Sequence, residues 1–428
     1  MSKWETYKLV DLVTFSQGIQ VPVEEQFLEK SNDMDRFIRI VDHTNPNEKP
    51  RFIRNVSDKY KVSKKDVVMI RYGWAGKVVR GISGFIANNM FKINVSNEEI
   101  LNKEFLYYFL LQEKIYNYFK GVQSSTTMPA IRFSDFNNLY ITLPDVVTQK
   151  EIVNKLNLLS SKIELNTQIN QTLEQIAQAI FKSWFIDFDP VHTKAASLAR
   201  GETEHQANLA VMAVISGKST AELDRLQTEE PERFEMLYKV AEAFPSGVDE
   251  SGLPWGWEYQ YLKDVSKIVY GKGLPKNQLS DSGYPVFGAN GIIGFYEKYL
   301  YEKPQILVGC RGTVGQVSLS LPYSYITSNS LVIEYEKSDF SIYFLEISLK
   351  NTDLRELSSG SVQPQITIQS MNTLQILTPT DKVHKFYSDM VKPIYDKIYE
   401  NNQQSNTLSK VRDELLPKLL NGENNELI

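Results

Sequence analysis

Cysteine and histidine are scarce in this chain of 428 residues. One cysteine, Cys310, and four histidines are present, so an internal disulfide framework is excluded and a structural zinc site is not expected. No apolar run reaches the length that a membrane span needs, and the first residues contain no hydrophobic signal region. These absences predict a protein that stays in a reducing cytoplasm.

Motifs for covalent chemistry are also missing. The chain has no glycine-rich phosphate loop that ends in Lys and Ser or Thr. Gly309, Gly312 and Gly315 precede a predicted strand, whereas a dinucleotide site needs a helix there. The Asn-Pro-Pro-aromatic tetrad expected of an amino-group methyltransferase is absent. Asp187 and Asp189 lie in a predicted turn at a helix end, where capping is the expected role. The sequence predicts a non-catalytic protein with no cofactor or metal of its own.

The net charge of −5 is unevenly distributed. Residues 1–144 carry 20 Lys and Arg against 16 Asp and Glu, whereas residues 145–254 carry 10 against 17. The acidity therefore belongs to the helical and linking part of the chain. A basic face on the globular parts remains open, although charge alone does not demonstrate one.

A long internal repeat organises the chain. Residues 148–184 return as residues 383–419, an offset of 235 that also relates Pro144 to Pro379. In both copies, positions spaced alternately three and four residues apart form one seam along a helix, which predicts a coiled coil. The predicted seam residues are Leu156, Leu159, Ile163, Asn166, Asn170, Leu173 and Ile180 in the first copy, and Ile394, Ile398, Asn401, Leu408 and Leu415 in the second.

Polar residues occupy the middle of this seam. If the helices pair antiparallel, Asn166 and Asn170 lie opposite Asn401 and Ser405, where buried amides fix the register. Pro393 falls inside the second copy, and this helix is predicted to begin or bend there. Two unrelated amphipathic helices are the alternative, which the shared offset disfavours.

The globular parts repeat each other as well. Short β-rich runs separated by turn residues recur in both, and one helix is predicted at Lys103–Phe119. The predicted fold class is α+β, with two α/β domains joined by two long antiparallel coiled-coil helices in an internal pseudo-twofold repeat. The predicted segments are domain one at 1–144, helix one at 145–190, an acidic linker with some helix at 191–251, domain two at 252–379 and helix two at 380–428.

Two unlike modules on a helical rod are suited to reading two short sequences in one DNA duplex. A helix of 37 residues is about 55 Å long, somewhat more than one turn of B-DNA. Arg side chains suit guanine edges, Asn and Gln suit adenine, and Lys more often contacts phosphate. The candidate DNA-binding residues are Arg71, Tyr72, Trp74, Lys77, Arg80, Arg132, Asn290, Arg311, Asn329, Gln363 and Gln365. For any one of them, an ordinary solvated loop residue is the alternative.

Several segments together resemble the specificity subunit of Type I restriction–modification systems. They are FKSWFIDFDP at 181–190, YPVFGANGIIGFYEKY at 284–299, SVQP at 361–364 followed by Gln365-Ile366, and RDELLPKLLNG at 412–422. The resemblance spans nearly the whole chain. It implies two target-recognition domains that bind double-stranded DNA with a bipartite target.

The same resemblance implies partner proteins. Two methyltransferase subunits would bind the helices, S-adenosylmethionine would be bound only by those subunits, and restriction/motor subunits would complete the enzyme. The alternative is a scaffold that assembles partners through its coiled coil without binding DNA. A third reading is an enzyme whose site is not recognised in the sequence.

Overall fold

The chain divides into two compact units. The structure, a computed structural model, describes residues 4–45, 48–122, 130–336, 340–360 and 364–421. Unit one consists of Met1–Thr167 with Asn402–Ile428, and unit two consists of Gln168–Asn401. Each unit therefore holds one strand-rich domain and parts of the two long helices.

Domain one contains three small sheets, with strand orders β1-β10, β2-β9-β6-β7 and β4-β3-β8-β5. The neighbouring strands are antiparallel except β3 and β8. The strands are β1 (Glu5–Lys8), β2 (Val13–Gln17), β3 (Met34–Ile38), β4 (Arg51–Arg54), β5 (Lys61–Val62), β6 (Val67–Ile70), β7 (Val78–Val79), β8 (Gly84–Ile86), β9 (Met90–Val95) and β10 (Tyr140–Leu143).

The helices of domain one differ from the sequence prediction. They are α1 (Val41–Thr44), α2 (Lys103–Leu111) and α3 (Glu113–Val122). The single helix predicted at Lys103–Phe119 is therefore wrong. The backbone of Gln112 is extended, with ψ at 140°, and separates α2 from α3. The side chain of Asn102 begins α2 by accepting hydrogen bonds from the backbone N–H groups of Glu104 and Phe105.

The first long helix, α4 (Val146–Phe185), is followed by four packed helices. These are α5 (Asp189–Ala199), α6 (Glu204–Ser216), α7 (Thr220–Glu229) and α8 (Pro231–Ala243). This segment is more ordered than a linker with some helix, because buried residues on these helices share one core with the end of α4. Pro190 does not terminate α4; it lies in the first turn of α5, where a missing N–H costs nothing.

Domain two repeats the plan of domain one. Its strands are β11 (Glu258–Tyr261), β12 (Lys267–Tyr270), β13 (Tyr284–Gly288), β14 (Gly291–Tyr296), β15 (Ile306–Gly309), β16 (Val317–Leu319), β17 (Tyr325–Ile326), β18 (Ser330–Glu334) and β19 (Gln375–Thr378), and its helices are α9 (Leu262–Val265), α10 (Ile342–Lys350) and α11 (Ile368–Asn372). The sheet orders are β11-β19, β12-β18-β15-β16 and β14-β13-β17. The parallel pair β13 and β17 corresponds to β3 and β8.

The second long helix, α12 (Asp381–Leu420), matches α4 residue for residue. Both helices have 40 residues, and their first and last positions differ by the offset of 235 found in the sequence. Of the two alternatives predicted at Pro393, a helix start is wrong, because α12 starts at Asp381 and continues through the proline. Among the described residues, no helix combines the length and apolar character that a membrane span requires.

Contacts inside each unit establish the antiparallel direction of α4 and α12. In unit one, the side chain N–H of Asn166 donates to Ser405 at 3.2 Å, and the apolar core joins Leu156 to Leu419. In unit two, Asn401 donates to Asn170 at 2.8 Å. The rings of Phe181 and Tyr387 are 5.9 Å apart. In both units, residue numbers rise on one helix as they fall on the other, so the antiparallel fold predicted from the sequence is present. All twelve predicted seam residues are buried or half-buried.

Candidate nucleic-acid interface

The turn after β6 and the turn after β15 share one pattern of backbone hydrogen bonds. The last residue of each strand accepts a hydrogen bond from a glycine in the turn and donates one to the residue after that glycine, at 2.8 or 2.9 Å. The matched sets are Ile70 with Gly76 and Lys77, and Gly309 with Gly315 and Gln316. It follows that Arg311 stands at the position of Tyr72, and Cys310 at the position of Arg71.

A second chain segment holds each turn in place. In domain one, the carbonyl of Asn89 accepts from the backbone N–H of Arg71 at 2.8 Å. In domain two, the carbonyl of Asn329 accepts from Cys310 at 3.0 Å and from Arg311 at 3.4 Å. The backbone of Asn329 is therefore a structural part of the turn that carries the predicted reader Arg311, and the Asn329 side chain is exposed.

Domain one gathers a polar cluster around Arg71. Its Nη1 donates to Oε1 of Gln17 at 2.9 Å, and its guanidinium lies 5.1 Å from the centre of the Tyr72 ring. Nε2 of Gln17 donates to the carbonyl of Asn88, and Nδ2 of Asn88 donates to Oε1 of Gln20 at 3.2 Å. The cluster is half-buried or exposed, and it combines the residue types that read guanine and adenine edges.

Aromatic and cationic groups extend this surface. The Nζ of Lys77 lies 4.4 Å from the ring centre of Tyr116 and 5.8 Å from that of Trp74, and the Trp74 side chain is exposed. The backbone N–H of Ile131 donates to the carbonyl of Arg71 at 3.1 Å, which places the exposed Arg132 next to the turn. These groups could contact phosphates and base faces.

Arg80 faces a different part of domain one. Its guanidinium lies 3.9 Å from the ring centre of Tyr107, and its Nη2 donates to Oδ1 of Asn157 on α4 at 3.3 Å. Its side chain is only 21% exposed. The structure therefore gives Arg80 a role in joining domain one to α4.

Domain two builds its surface from different residues. The Nε of Arg311 donates to Oε1 of Gln365 at 3.1 Å, and the backbone of Gln365 is paired with that of Ser359. Asn290 lies in the tight turn between β13 and β14. The predicted residue Gln363 lies outside the described residues, as do residues 126–129 and 361–363 of the repeated segments.

The neutral thiol of Cys310 replaces the charge that domain one has at Arg71. The side chain is buried, with its Sγ 3.6 Å from the carbonyl of Ser328. Burial raises the pKa of this thiol, against a smaller opposing effect of the Arg311 charge. The two domains thus differ in charge at equivalent backbone positions.

Gln17, Gln20 and Asn88 are not among the residues predicted from the sequence. A usable signal was Gly18, which matches Gly271 in domain two. A Cβ added at either glycine would lie 2.2 Å from a carbonyl oxygen of the facing segment, so only glycine permits this approach. The close approach brings Gln17 to Asn88, and it places Tyr270 at the position of Gln17. Among the described residues, no group of His, Cys, Asp or Glu side chains could hold a metal ion.

Comparisons with known proteins agree with this duplicated arrangement. The model of the family described as "Type I restriction modification DNA specificity domain" matches residues 1–175 and 254–410. The HindI specificity subunit of a Type I restriction enzyme from Haemophilus influenzae is 34% identical, over 80% of this chain and 82% of that protein. The MjaIX specificity subunit from Methanocaldococcus jannaschii is 24% identical, over 79% and 74% of the two chains.

A solved structure shares the fold. It is the S subunit of a Type I restriction–modification system from M. genitalium, with a TM-score of 0.53 and 17% identity over 98% of this chain and 96% of that one. The family model alone covers most of the sequence, and it does so in two blocks that coincide with the two repeats. The chain therefore belongs to the family of Type I restriction modification DNA specificity domains.

Proposed function

We propose that this protein is the non-catalytic DNA sequence-recognition subunit of a Type I restriction–modification complex. The observation that carries the proposal is the turn after β6, which recurs after β15 with the same backbone hydrogen bonds. We call both the reading turns; one carries Arg71 and Tyr72, and the other carries Cys310 and Arg311. Two turns with the same backbone hydrogen bonds and different side chains are suited to two unlike half-sites in double-stranded DNA. Family membership favours this function over a scaffold that does not bind DNA.

The coiled coil supports a bipartite target with an unread gap. A helix of 40 residues is about 60 Å long, nearly two turns of B-DNA. The antiparallel helices have equal lengths, and amide pairs such as Asn170 with Asn401 fix their register. The proposed role of α4 and α12 is to set the number of base pairs between the half-sites.

Exposed leucines on α4 favour the proposal that partner subunits bind the helices. Leu158 and Leu165 lie one heptad apart on α4 and are 72% and 47% exposed. Exposed aliphatic side chains at this spacing suit a protein partner. The proposed partners are two methyltransferase subunits, which would bind S-adenosylmethionine, together with restriction/motor subunits. The complex would act on DNA in the cytoplasm.

Mapping of methylated adenines tests the function directly. Genomic DNA of the source cells, with and without this gene, should differ by one split sequence whose two halves are unlike. The gene should restore that pattern when supplied with its methyltransferase partner, and not with the partner alone. An unchanged methylation map, or methyl transfer by the purified chain by itself, would reject the proposal.

A further inference from the structure

The hairpin of β13 and β14 carries two exposed isoleucines beside its turn. Ile292 and Ile293 are 48% and 49% exposed, although they follow one another in the same strand. The base of the hairpin is anchored, because Val286 and Phe287 are buried and the carbonyl of Phe287 accepts from the N–H of Thr327 at 2.9 Å. Two neighbouring isoleucines thus project from a fixed support.

The end of the hairpin is a tight turn with a constrained backbone. Gly288 pairs with Gly291 across a two-residue turn, and Gly291 has a φ of +96°, which favours glycine. A Cβ added at Gly288 would lie 2.9 Å from Cγ2 of Ile293. The missing side chain of Gly288 therefore provides the space in which Ile293 packs across the hairpin.

This tip adjoins the candidate reading turn of domain two. A Cβ added at Gly309 would lie 3.4 Å from the carbonyl oxygen of Ala289 in the hairpin turn. Arg311 follows two residues after Gly309 and is bonded to Gln365. The two isoleucines and the polar candidates Arg311 and Gln365 thus belong to adjacent parts of one surface.

The equivalent strands β3 and β4 of domain one are also antiparallel, but residues 39–50 join them where domain two has a two-residue turn. The carbonyl of Ile38 accepts from the N–H of Ala87 at 2.9 Å, the same contact that Phe287 makes in domain two. After Ile38, however, the chain enters α1, where the buried carboxylate of Asp42 bonds Arg39 at 3.0 Å. The described part of this longer connection carries the charged side chains Arg39 and Asp42, not two exposed isoleucines. The apolar element is therefore a difference between the two readers.

We infer that the β13–β14 hairpin enters the major groove of DNA and that its isoleucines contact the 5-methyl groups of thymines. A two-stranded ribbon fits the width of the major groove, and the thymine methyl is the apolar group displayed there. The uncharged tip would discriminate by methyl contact, while Arg311 and Gln365 supply hydrogen bonds. This inference rests on the proposed function and adds the chemical basis of one half-site.

Removal of single methyl groups from the DNA tests the inference. The assembled complex with its methyltransferase subunits is titrated against duplexes in which each thymine of the domain-two half-site is replaced by deoxyuridine. One such substitution should weaken binding about fourfold, the factor for one buried methyl group. The variants Ile292→Ala and Ile293→Ala should bind the thymine duplex more weakly, and at least one should lose the preference over deoxyuridine.

Controls separate this inference from the proposed function. Val214→Ala changes an aliphatic residue of α6 with 38% exposure, and this variant should keep the preference for thymine over deoxyuridine. Deoxyuridine placed in the other half-site should have the same effect on binding by the wild type and by every variant. Thermal unfolding should be unchanged in all three variants. Equal deoxyuridine effects in wild type and both isoleucine variants, or a domain-two half-site without A·T pairs, would overturn the inference while leaving the proposed function standing. Loss of all sequence preference in the wild-type complex would reject the proposed function itself.

Discussion

Asp66 offers a stringent test of how domain one is held together. Its carboxylate is nearly inaccessible to solvent, and it bonds the backbone N–H of Ser63 at 2.7 Å. The ammonium groups of Lys103 and Lys92 lie at 3.0 and 3.2 Å. These contacts tie the start of β6 to β9 and α2. The variant Asp66→Asn keeps the shape of the side chain and removes its charge.

The expected loss of unfolding free energy in this variant follows from the pKa of the Asp66 carboxyl group. Burial by itself raises the pKa, but the hydrogen bond from Ser63 and the charges of Lys103 and Lys92 outweigh it and lower the pKa of Asp66 from 3.8 to about 2. A shift of this size corresponds to about 2 kcal/mol of unfolding free energy. Because the folded pKa is the lower one, this stabilisation is present above pH 4 and is lost as pH falls towards 2.

Urea unfolding of the full chain at several pH values measures this contribution. We expect Asp66→Asn to lose about 2 kcal/mol at pH 7, and to have a shallower decline of stability between pH 4 and 2 than the wild type. Asp11→Asn, at an exposed carboxylate of the same domain, is the matched control and should change little. Equal stability of Asp66→Asn and wild type at pH 7, or identical slopes below pH 4, would refute the reasoning.

Three further predictions concern reading, spacing and the helical segment after α4. Arg311→Ala should relax methylation at the half-site read by domain two while subunit assembly, measured by gel filtration, is retained; an unchanged methylation map would exclude this role for Arg311. Seven residues inserted at matched points of α4 and α12 should lengthen the gap by about 10 Å, or three base pairs, and a fixed gap in the mapped target would contradict the spacing role. Lys194→Met should lower unfolding free energy by about 2 kcal/mol, because Nζ donates to the carbonyls of Glu242 and Phe244 at 3.0 Å each; thermal melts should leave the exposed control Lys239→Met near wild type.

Local pattern was enough to predict the long helices and the duplication. The repeat offset predicted two long matched helices, because the 3–4 spacing of a seam is a property of neighbouring residues, although the second helix does not begin at Pro393. It also predicted the antiparallel pairing, because Asn166 and Asn170 can satisfy their buried amides only against polar positions of the other copy. About half of the strands that the structure describes in domain one were likewise visible as short β-rich runs.

Secondary structure was predicted less accurately from the sequence where packing in the core overrides local preference. Gln112 interrupts a helix whose apolar spacing continues through it, and its neighbours are placed by the core of domain one. The acidic segment after α4 was predicted as a linker, yet its apolar residues join the core that contains Trp184 and Trp257. Neither result follows from the charge or the periodicity of the segment.

The reading surfaces were decided by tertiary structure. Gln17 and Arg71 are 54 positions apart and meet only because β2 and β6 both pair with β9. Arg80, in the same basic loop region as Arg71, is directed to α4 instead. The sequence by itself determined what is periodic or repeated along the chain, because helices and duplications depend on near neighbours. Which side chains share a surface depended on contacts between distant strands, and only the folded chain brings those together.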